Sequence, residues 1–119
     1  MKNFKNINIG YRGETVILYF SMPEGKSEAV IVEADLDVSR DNVPLSIELF
    51  DASDLGAERL ALVIEALRAG GVRFSYDPMD DILLININAI DEDSTNARPG
   101  SVKFFFAENG LISITVGEA

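Results

Sequence analysis

The chain of 119 residues contains no histidine and no cysteine. Ser-His-Asp and Cys-His catalysis require a histidine base, and the common zinc sites are built from histidine and cysteine. Those enzyme classes and those metal sites are therefore excluded. The lack of cysteine also excludes a disulfide framework.

Basic residues are scarce, because 10 lysines and arginines stand against 20 aspartates and glutamates and give a formal net charge of −10. Nucleic-acid binding relies on basic side chains that displace counterions from phosphates. We therefore expect no nucleic-acid partner, and the same charge would repel an anionic membrane. An acidic surplus is suited to steering a basic protein towards the chain, and simple solubility is the alternative explanation.

Long apolar runs are also missing. No segment approaches the roughly 20 apolar residues that a membrane helix needs, and no apolar stretch follows the Met-Lys-Asn-Phe-Lys start. We therefore expect a cytoplasmic protein. The apolar fraction of 47% is enough for a real core, and the length predicts a single domain over residues 1–119.

The rest of the chain is organised around the stretch Y-D-P-M-D-D-I-L-L-I-N-I at residues 76–87. Asp77-Pro78 predicts a turn, because proline fixes its own φ and restricts the residue before it. The apolar run that follows predicts a strand covered on both faces, with Leu83, Ile85 and Ile87 on the core side.

An earlier stretch has the same layout. Aligning Tyr11 with Tyr76 places Leu18 on Leu83 at an offset of 65 residues, and the closing segments align at an offset of 67. A longer hairpin tip in the second copy would account for the difference. We interpret the chain as a tandem duplication, residues 11–53 and 76–119, joined by a helix over residues 57–69.

The alternating segment Val30–Val38 predicts a strand with Glu33, Asp35 and Asp37 on one face. Three acids on one strand face repel each other, so they are either solvated or matched by a basic partner. The side chain of Phe105 is predicted on the strand face opposite to that of Phe104 and Phe106, where it lacks an obvious core partner. We predict a partner-binding face of Glu33, Asp35, Asp37 and Phe105, with Phe105 under the helix or in a subunit interface as alternatives.

Local signals define one helix and one hairpin. Apolar residues at helical spacing predict a helix from Ala57 to Ala69, with Ser53 or Asp54 as its N-cap and Gly70-Gly71 as its end. Asn109-Gly110 predicts a hairpin, because this dipeptide suits the positive φ angles of a type I′ turn.

Two groups of acids were considered as chemical sites. Asp77, Asp80 and Asp81 would serve a small hydrolase or lyase only if they converged in a cleft, and solvated turn acids are the favoured interpretation. The residues 91–95 suggest a calcium loop, but an EF-hand needs glycine and glutamate where Asn96 and Val102 stand. We therefore predict no catalytic residue, no metal site and no cofactor.

A family resemblance rests on several of these segments. The residues I-E-L-F-D-A-S at 47–53, A-V-I-V-E at 29–33, Y-D-P at 76–78 and D-I-L at 81–83 resemble the small prokaryotic family known as domain of unknown function 2283. The first copy has Tyr11-Arg12-Gly13 in place of Tyr-Asp-Pro, and the second has Thr115 where the first has Glu48. The resemblance implies an antitoxin-like partner of a ribonuclease-type toxin and no catalytic residues.

These observations predict an α+β fold of two repeated antiparallel β meanders, related by a pseudo-two-fold axis, with one central helix packed on the sheet. A meander of about forty residues buries too little apolar surface alone and needs a second one. The predicted function is a non-catalytic protein-interaction module for a basic toxin or ribonuclease, either as a monomer with an internal pseudo-dimer or as a homodimer. A hydrolase using Asp77, Asp80 or Asp81, and a binder of a small apolar ligand between the repeats, are the alternatives.

Overall fold

The fold is taken from a computed structural model, which describes residues 8–12, 15–20, 27–39, 44–87, 96–108 and 110–117. Within these ranges the chain forms eight β-strands, one short 3-10 helix at Ala52–Leu55 and one α-helix, α1, at Ala57–Gly70. The strands are β1 (Asn8–Arg12), β2 (Thr15–Tyr19), β3 (Glu28–Val38), β4 (Pro44–Phe50), β5 (Arg73–Asp77), β6 (Ile82–Asn86), β7 (Asn96–Ala107) and β8 (Gly110–Gly117).

All eight strands belong to one antiparallel sheet in the order β1-β2-β8-β7-β3-β4-β6-β5. The predicted α+β fold of two meanders is therefore wrong. Strand β2 pairs with β8, and β6 pairs with β4. The first hairpin of each half of the chain (β1–β2 and β5–β6) is therefore hydrogen-bonded to a strand of the other half. The result is one continuous β-rich sheet with a single 14-residue helix.

The strand order has an internal symmetry. Read from the β5 edge, it repeats the order read from the β1 edge, with β5, β6, β7 and β8 in the places of β1, β2, β3 and β4 and the reverse. Tyr11 pairs with Val16, whereas Tyr76 pairs with Leu83, so the tip of the second hairpin is two residues longer. This differs from the alignment of Leu18 with Leu83. The division into repeats 11–53 and 76–119, joined by residues 57–69, stays a prediction.

Alternation along the strands separates a buried face from an outer face. The inward residues of the central strands include Leu36, Ile47, Phe104 and Ile114, each at most 1% exposed. Because directly opposed residues of antiparallel strands lie on the same face, these side chains form one contiguous cluster. The predicted core side of β6 is confirmed, since Leu83, Ile85 and Ile87 are fully buried.

Helix α1 contacts both β8 and β5, which are five positions apart in the sheet order. Neighbouring strands are about 4.8 Å apart, so a flat sheet would separate β8 and β5 by roughly 24 Å, about twice the diameter of a helix. The sheet must therefore curl around α1. Leu60, Val63 and Leu67 of the helix join the buried cluster on this concave side.

The ends of α1 only partly follow the sequence prediction. Gly71 has φ 74° and closes the helix, as expected for a residue without a Cβ. The N-cap is Gly56, whereas Ser53 and Asp54 lie in the 3-10 helix, so the predicted side-chain cap is wrong. Among the described residues, no helix is long and apolar enough to cross a membrane.

The β7–β8 hairpin turns one residue earlier than predicted. Ala107 pairs with Gly110, and Gly110 is the first residue of β8. The pairing of β7 with β8 shifts by one residue between Phe105 and Phe106, which marks a β-bulge. Asn109 itself lies outside the described residues.

Candidate functional site

The predicted partner-binding residues all lie on the outer, convex face of the sheet. Glu33 and Asp35 are exposed, and Asp37 and Phe105 are half-buried. Asp37 accepts a hydrogen bond of 2.8 Å from the hydroxyl of the buried Ser46, so it also has a structural role. Helix α1 lies on the other side, which removes the alternative that Phe105 packs under it.

The acids form a continuous patch because of the β3–β4 register. Asp35 is directly opposite Glu48, and Glu33 and Asp37 lie two residues away on either side. We refer to Glu33, Asp35, Asp37 and Glu48 as the acidic face. Within the described residues the only ion pair joins Arg59 to Glu28, so the acidic face contains like charges side by side without a basic partner.

Phe105 is separate from the acidic face. It pairs with Ala29 of β3, four residues before Glu33, which corresponds to roughly 13 Å along the strand. The Lys103 ammonium lies 5.5 Å from the centre of its ring, a cation–π contact. The structure therefore places the four predicted residues on one face but does not bring Phe105 together with the acids.

A groove opens beside the acidic face where β4 separates from β3 while it remains paired with β6. Strand β4 pairs with β3 only from Asp35 onwards, and Asp51 then turns the chain with φ 53° into the 3-10 helix. The groove lies beside the middle of β3, from Val32 to Asp35, and has a volume of about 830 Å³. Apolar residues including Leu49 and Leu55 line it, and Asp54 adds a carboxylate.

The sequence analysis missed this groove together with Asp51 and Asp54. The available signal is a difference in length, since β3 has 11 residues whereas its partner β4 has 7. When a longer strand pairs with a shorter one, part of the longer strand extends beyond the shorter strand. The sequence does not reveal which two segments are neighbours, so the signal could not be used.

The acids of the β5–β6 turn were the predicted alternative site, and one of them joins the turn to the 3-10 helix. Asp81 has φ 57°, and its carboxylate accepts hydrogen bonds from the Ser53 N–H at 3.0 Å, the Ser53 hydroxyl at 2.5 Å and the Tyr76 hydroxyl at 2.7 Å. The Ala52 N–H also donates to the Asp81 carbonyl. This cluster fixes the start of the helical segment against the sheet.

These contacts set the protonation of the cluster. The Ser53 hydroxyl, followed by the Tyr76 hydroxyl, stabilises the ionised carboxylate and lowers the pKa of Asp81. The hydrogen bond to Asp81 in turn raises the pKa of Tyr76. An acid with a lowered pKa is ionised at neutral pH, so Asp81 is a poor proton donor for catalysis.

The other two acids have different surroundings. The Asp77 carboxylate accepts the N–H groups of Met79 and Asp80 at 2.9 and 3.4 Å, which is the geometry of a local turn. Asp80 is exposed. None of the three acids lines the groove, so the geometry gives the hydrolase hypothesis no support.

A prediction follows for Asp81→Asn, since asparagine tolerates the left-handed backbone. A lowered carboxyl pKa contributes stability above the unfolded-state pKa of about 3.9, and this stability is lost as the pH falls through the folded-state pKa. The melting temperature of the variant should therefore be lower than that of the wild type at neutral pH, and the difference should shrink below about pH 4. Thermal unfolding monitored by circular dichroism across pH measures it.

The matched control is Asp80→Asn, because Asp80 is the adjacent acid and is exposed. Its melting temperature should track that of the wild type at each pH. The Tyr76 pKa, read from near-ultraviolet absorbance, should fall towards 10 in the Asp81 variant only. Equal behaviour of the two variants would contradict the assigned cluster.

Metal sites find no support either. No group of three or more acidic, histidine or cysteine side chains within the described ranges is arranged to hold a metal ion. The calcium-loop motif at residues 91–95 lies outside those ranges.

Comparison of the chain with known protein families, curated proteins and solved structures finds no match. The resemblance to domain of unknown function 2283 stays a prediction.

Proposed function

We infer that the chain is a non-catalytic module that binds a basic protein through the acidic face. The observation that supports this proposal is the cross-strand pair of Asp35 and Glu48, flanked by Glu33, without a described basic partner. Like charges directly opposite each other in a sheet are destabilising. A basic partner would remove this repulsion, so its binding would be favourable.

The net charge of −10 supports the same proposal. Charges of one sign on a surface attract a partner of the opposite sign at long range and increase the rate of association. The negative charge extends from the acidic face into the groove, because Asp51 and Asp54 line the groove. A basic surface would therefore meet carboxylates over both the sheet and the groove.

The finer features of this proposal rest on the sequence. A toxin or ribonuclease as the basic partner derives from the family resemblance, and the cytoplasm as the compartment derives from composition. The oligomeric state of the protein without a partner, monomer or homodimer, also stays a prediction. For the apolar-ligand alternative, the described concave side is occupied by one packed cluster that includes Phe104 and Leu67, and it offers no support.

The test uses a variant that removes the charge of the acidic face, Glu33→Gln, Asp35→Asn and Glu48→Gln together. Partners captured from the source cells would be identified by mass spectrometry, purified, and titrated by calorimetry against wild type and variant. We expect a partner with net positive charge, binding that weakens with salt, and a loss of about tenfold or more in affinity in the variant.

The control variant removes three exposed acids elsewhere, Glu65→Gln, Asp80→Asn and Glu108→Gln, so both variants have the same net charge. A site-specific interaction leaves the control within about threefold of wild type. Equal losses in both variants, or a partner that is not basic, would overturn the proposal.

A further inference from the structure

Among the described residues, no strand pairs with the first half of β3 on the side away from β7, and we refer to this side as the free edge. Strand β3 pairs with β7 along its whole length but with β4 only over residues 35–38. No backbone hydrogen bond joins residues 28–34 to the 3-10 helix or to α1 among the described residues. Ile31, in the middle of this segment, is 63% exposed.

The direction of the backbone groups follows from the register. Leu45 accepts a hydrogen bond of 2.8 Å from the Ile87 N–H, so Leu45 faces the β6 side. Alternate residues of a strand in an antiparallel sheet face opposite neighbours, so Glu48 faces β3. Its partner Asp35 therefore directs its own N–H and carbonyl groups towards β4.

Counting back by twos from Asp35 identifies the groups at the free edge. Glu33, Ile31 and Ala29 all direct their N–H and carbonyl groups away from β7, towards the side of β3 on which β4 pairs further along, because the β3 register is unbroken over these residues. Three donors and three acceptors are thus spaced at about 7 Å along the edge. Their side chains lie on the outer face, next to the acidic face.

The other wall of the groove is apolar on its concave side. Val30 and Val32 point inwards but are only half-buried, whereas their partners in β7, Phe104 and Val102, are fully buried. The half-burial coincides with the part of β3 that pairs with β7 alone among the described residues. Leu55 of the 3-10 helix closes this side.

On this basis, and resting on the proposed function, we propose that the basic partner binds by adding an extended segment as a strand to the free edge of β3. The segment continues the position of β4 and runs antiparallel to β3. The residue opposite Glu33 is basic, because it lies on the outer face beside Glu33 and Asp35, and Asp51 and Asp54 of the groove favour a basic segment as a whole. The residues between them are apolar and cover the half-buried valines.

A second copy of the chain is a worse occupant of this edge. Each copy has a net charge of −10 and a groove lined by Asp51 and Asp54, so two copies would bring like charges together. Like charges across a strand pair are destabilising. Charge complementarity therefore favours a basic segment over self-association.

The test uses fluorescein-labelled Lys-Val-Lys-Val-Lys-Val-Lys and measures binding to the full chain by fluorescence anisotropy. A block peptide with the lysines first and the valines last has the same composition and charge without alternation. Two further peptides are N-methylated, either on the lysines or on the valines. Lysine residues opposite Ala29, Ile31 and Glu33 donate their N–H groups to β3, whereas the valine N–H groups point away.

We expect the alternating peptide to bind. The lysine-methylated and block peptides should bind at least about tenfold more weakly, since each lost hydrogen bond costs about 1 kcal/mol. Valine methylation should change affinity by less than about threefold. Equal binding of all four peptides would overturn strand addition and leave the proposed function standing. Absence of binding by every peptide would overturn both.

A protein variant tests the edge from the other side. Ile31→Pro removes an N–H at the free edge and leaves the β7 hydrogen bonds in place, which is the position where a strand tolerates proline. Circular dichroism should show a folded chain, and affinity for the alternating peptide should fall about tenfold. Unchanged affinity in a folded variant, or a dimer that the peptide fails to dissociate, would contradict the proposal.

Discussion

Replacing Phe104 with alanine is expected to lower the free energy of unfolding by about 3–5 kcal/mol. Phe104 is fully buried, lies opposite Val30 and Ile114 in the two neighbouring strands, and stacks on Phe106 at 6.2 Å between ring centres. Removing the ring leaves a cavity that the surrounding sheet cannot fill. Urea denaturation followed by circular dichroism measures the effect, and an unchanged m-value shows that the unfolding transition is comparable.

Phe105→Ala is the matched control, since it removes the same side chain one residue further along. Phe105 is half-buried on the outer face and contacts Lys103, so its removal should cost about 1 kcal/mol. Similar losses for the two variants would mean that the inner and outer faces of β7 are wrongly assigned. A domain of this size has a total stability of about 5–15 kcal/mol, so the Phe104 variant would lose a large part of it.

The second large effect is expected for Leu67→Ala in helix α1, with a loss of about 2–5 kcal/mol. Leu67 is fully buried, and its carbonyl accepts the Val72 N–H where the helix ends and β5 begins. Arg68 next to it lies 5.8 Å from the ring of Phe74 in β5, so this end of α1 is closely packed against the edge of the curled sheet. Thermal and urea unfolding measure the loss.

Leu62→Ala is the control within the same helix. Leu62 contacts the core but is only half-buried, so its truncation should cost about 1 kcal/mol. Equal losses at the two positions would contradict the orientation of α1 in which Leu60, Val63 and Leu67 face the sheet.

Alternation along the chain predicted much of the local structure. The faces of β3 and β6 and the glycine end of α1 depend on residues close in sequence, which is why they were predictable. Strand β5 was missed, because Tyr76 and Asp77 were assigned to a turn before Pro78 although they pair with Leu83 and Ile82. A proline after a strand and a proline inside a turn produce the same local sequence.

Features that depend on distant residues were not predictable. Ser53 was expected to cap α1, but its hydroxyl donates to Asp81, 28 residues away. The pairing of β2 with β8 joins residues about a hundred positions apart, and no local pattern specifies it. For the candidate site, the acidic face followed from alternation, whereas the groove required knowledge of where β4 stops pairing with β3.

The pairing of β2 with β8 also determines the order in which the protein can be completed during translation. The β1–β2 hairpin is synthesised before β8, yet Val16 and Leu18 find their partners on the side away from β1 only in Val116 and Ile114. Until β8 has emerged from the ribosome, β2 lacks its partner on the side away from β1. Chaperone binding to the emerging β1–β2 segment would be most useful during this interval.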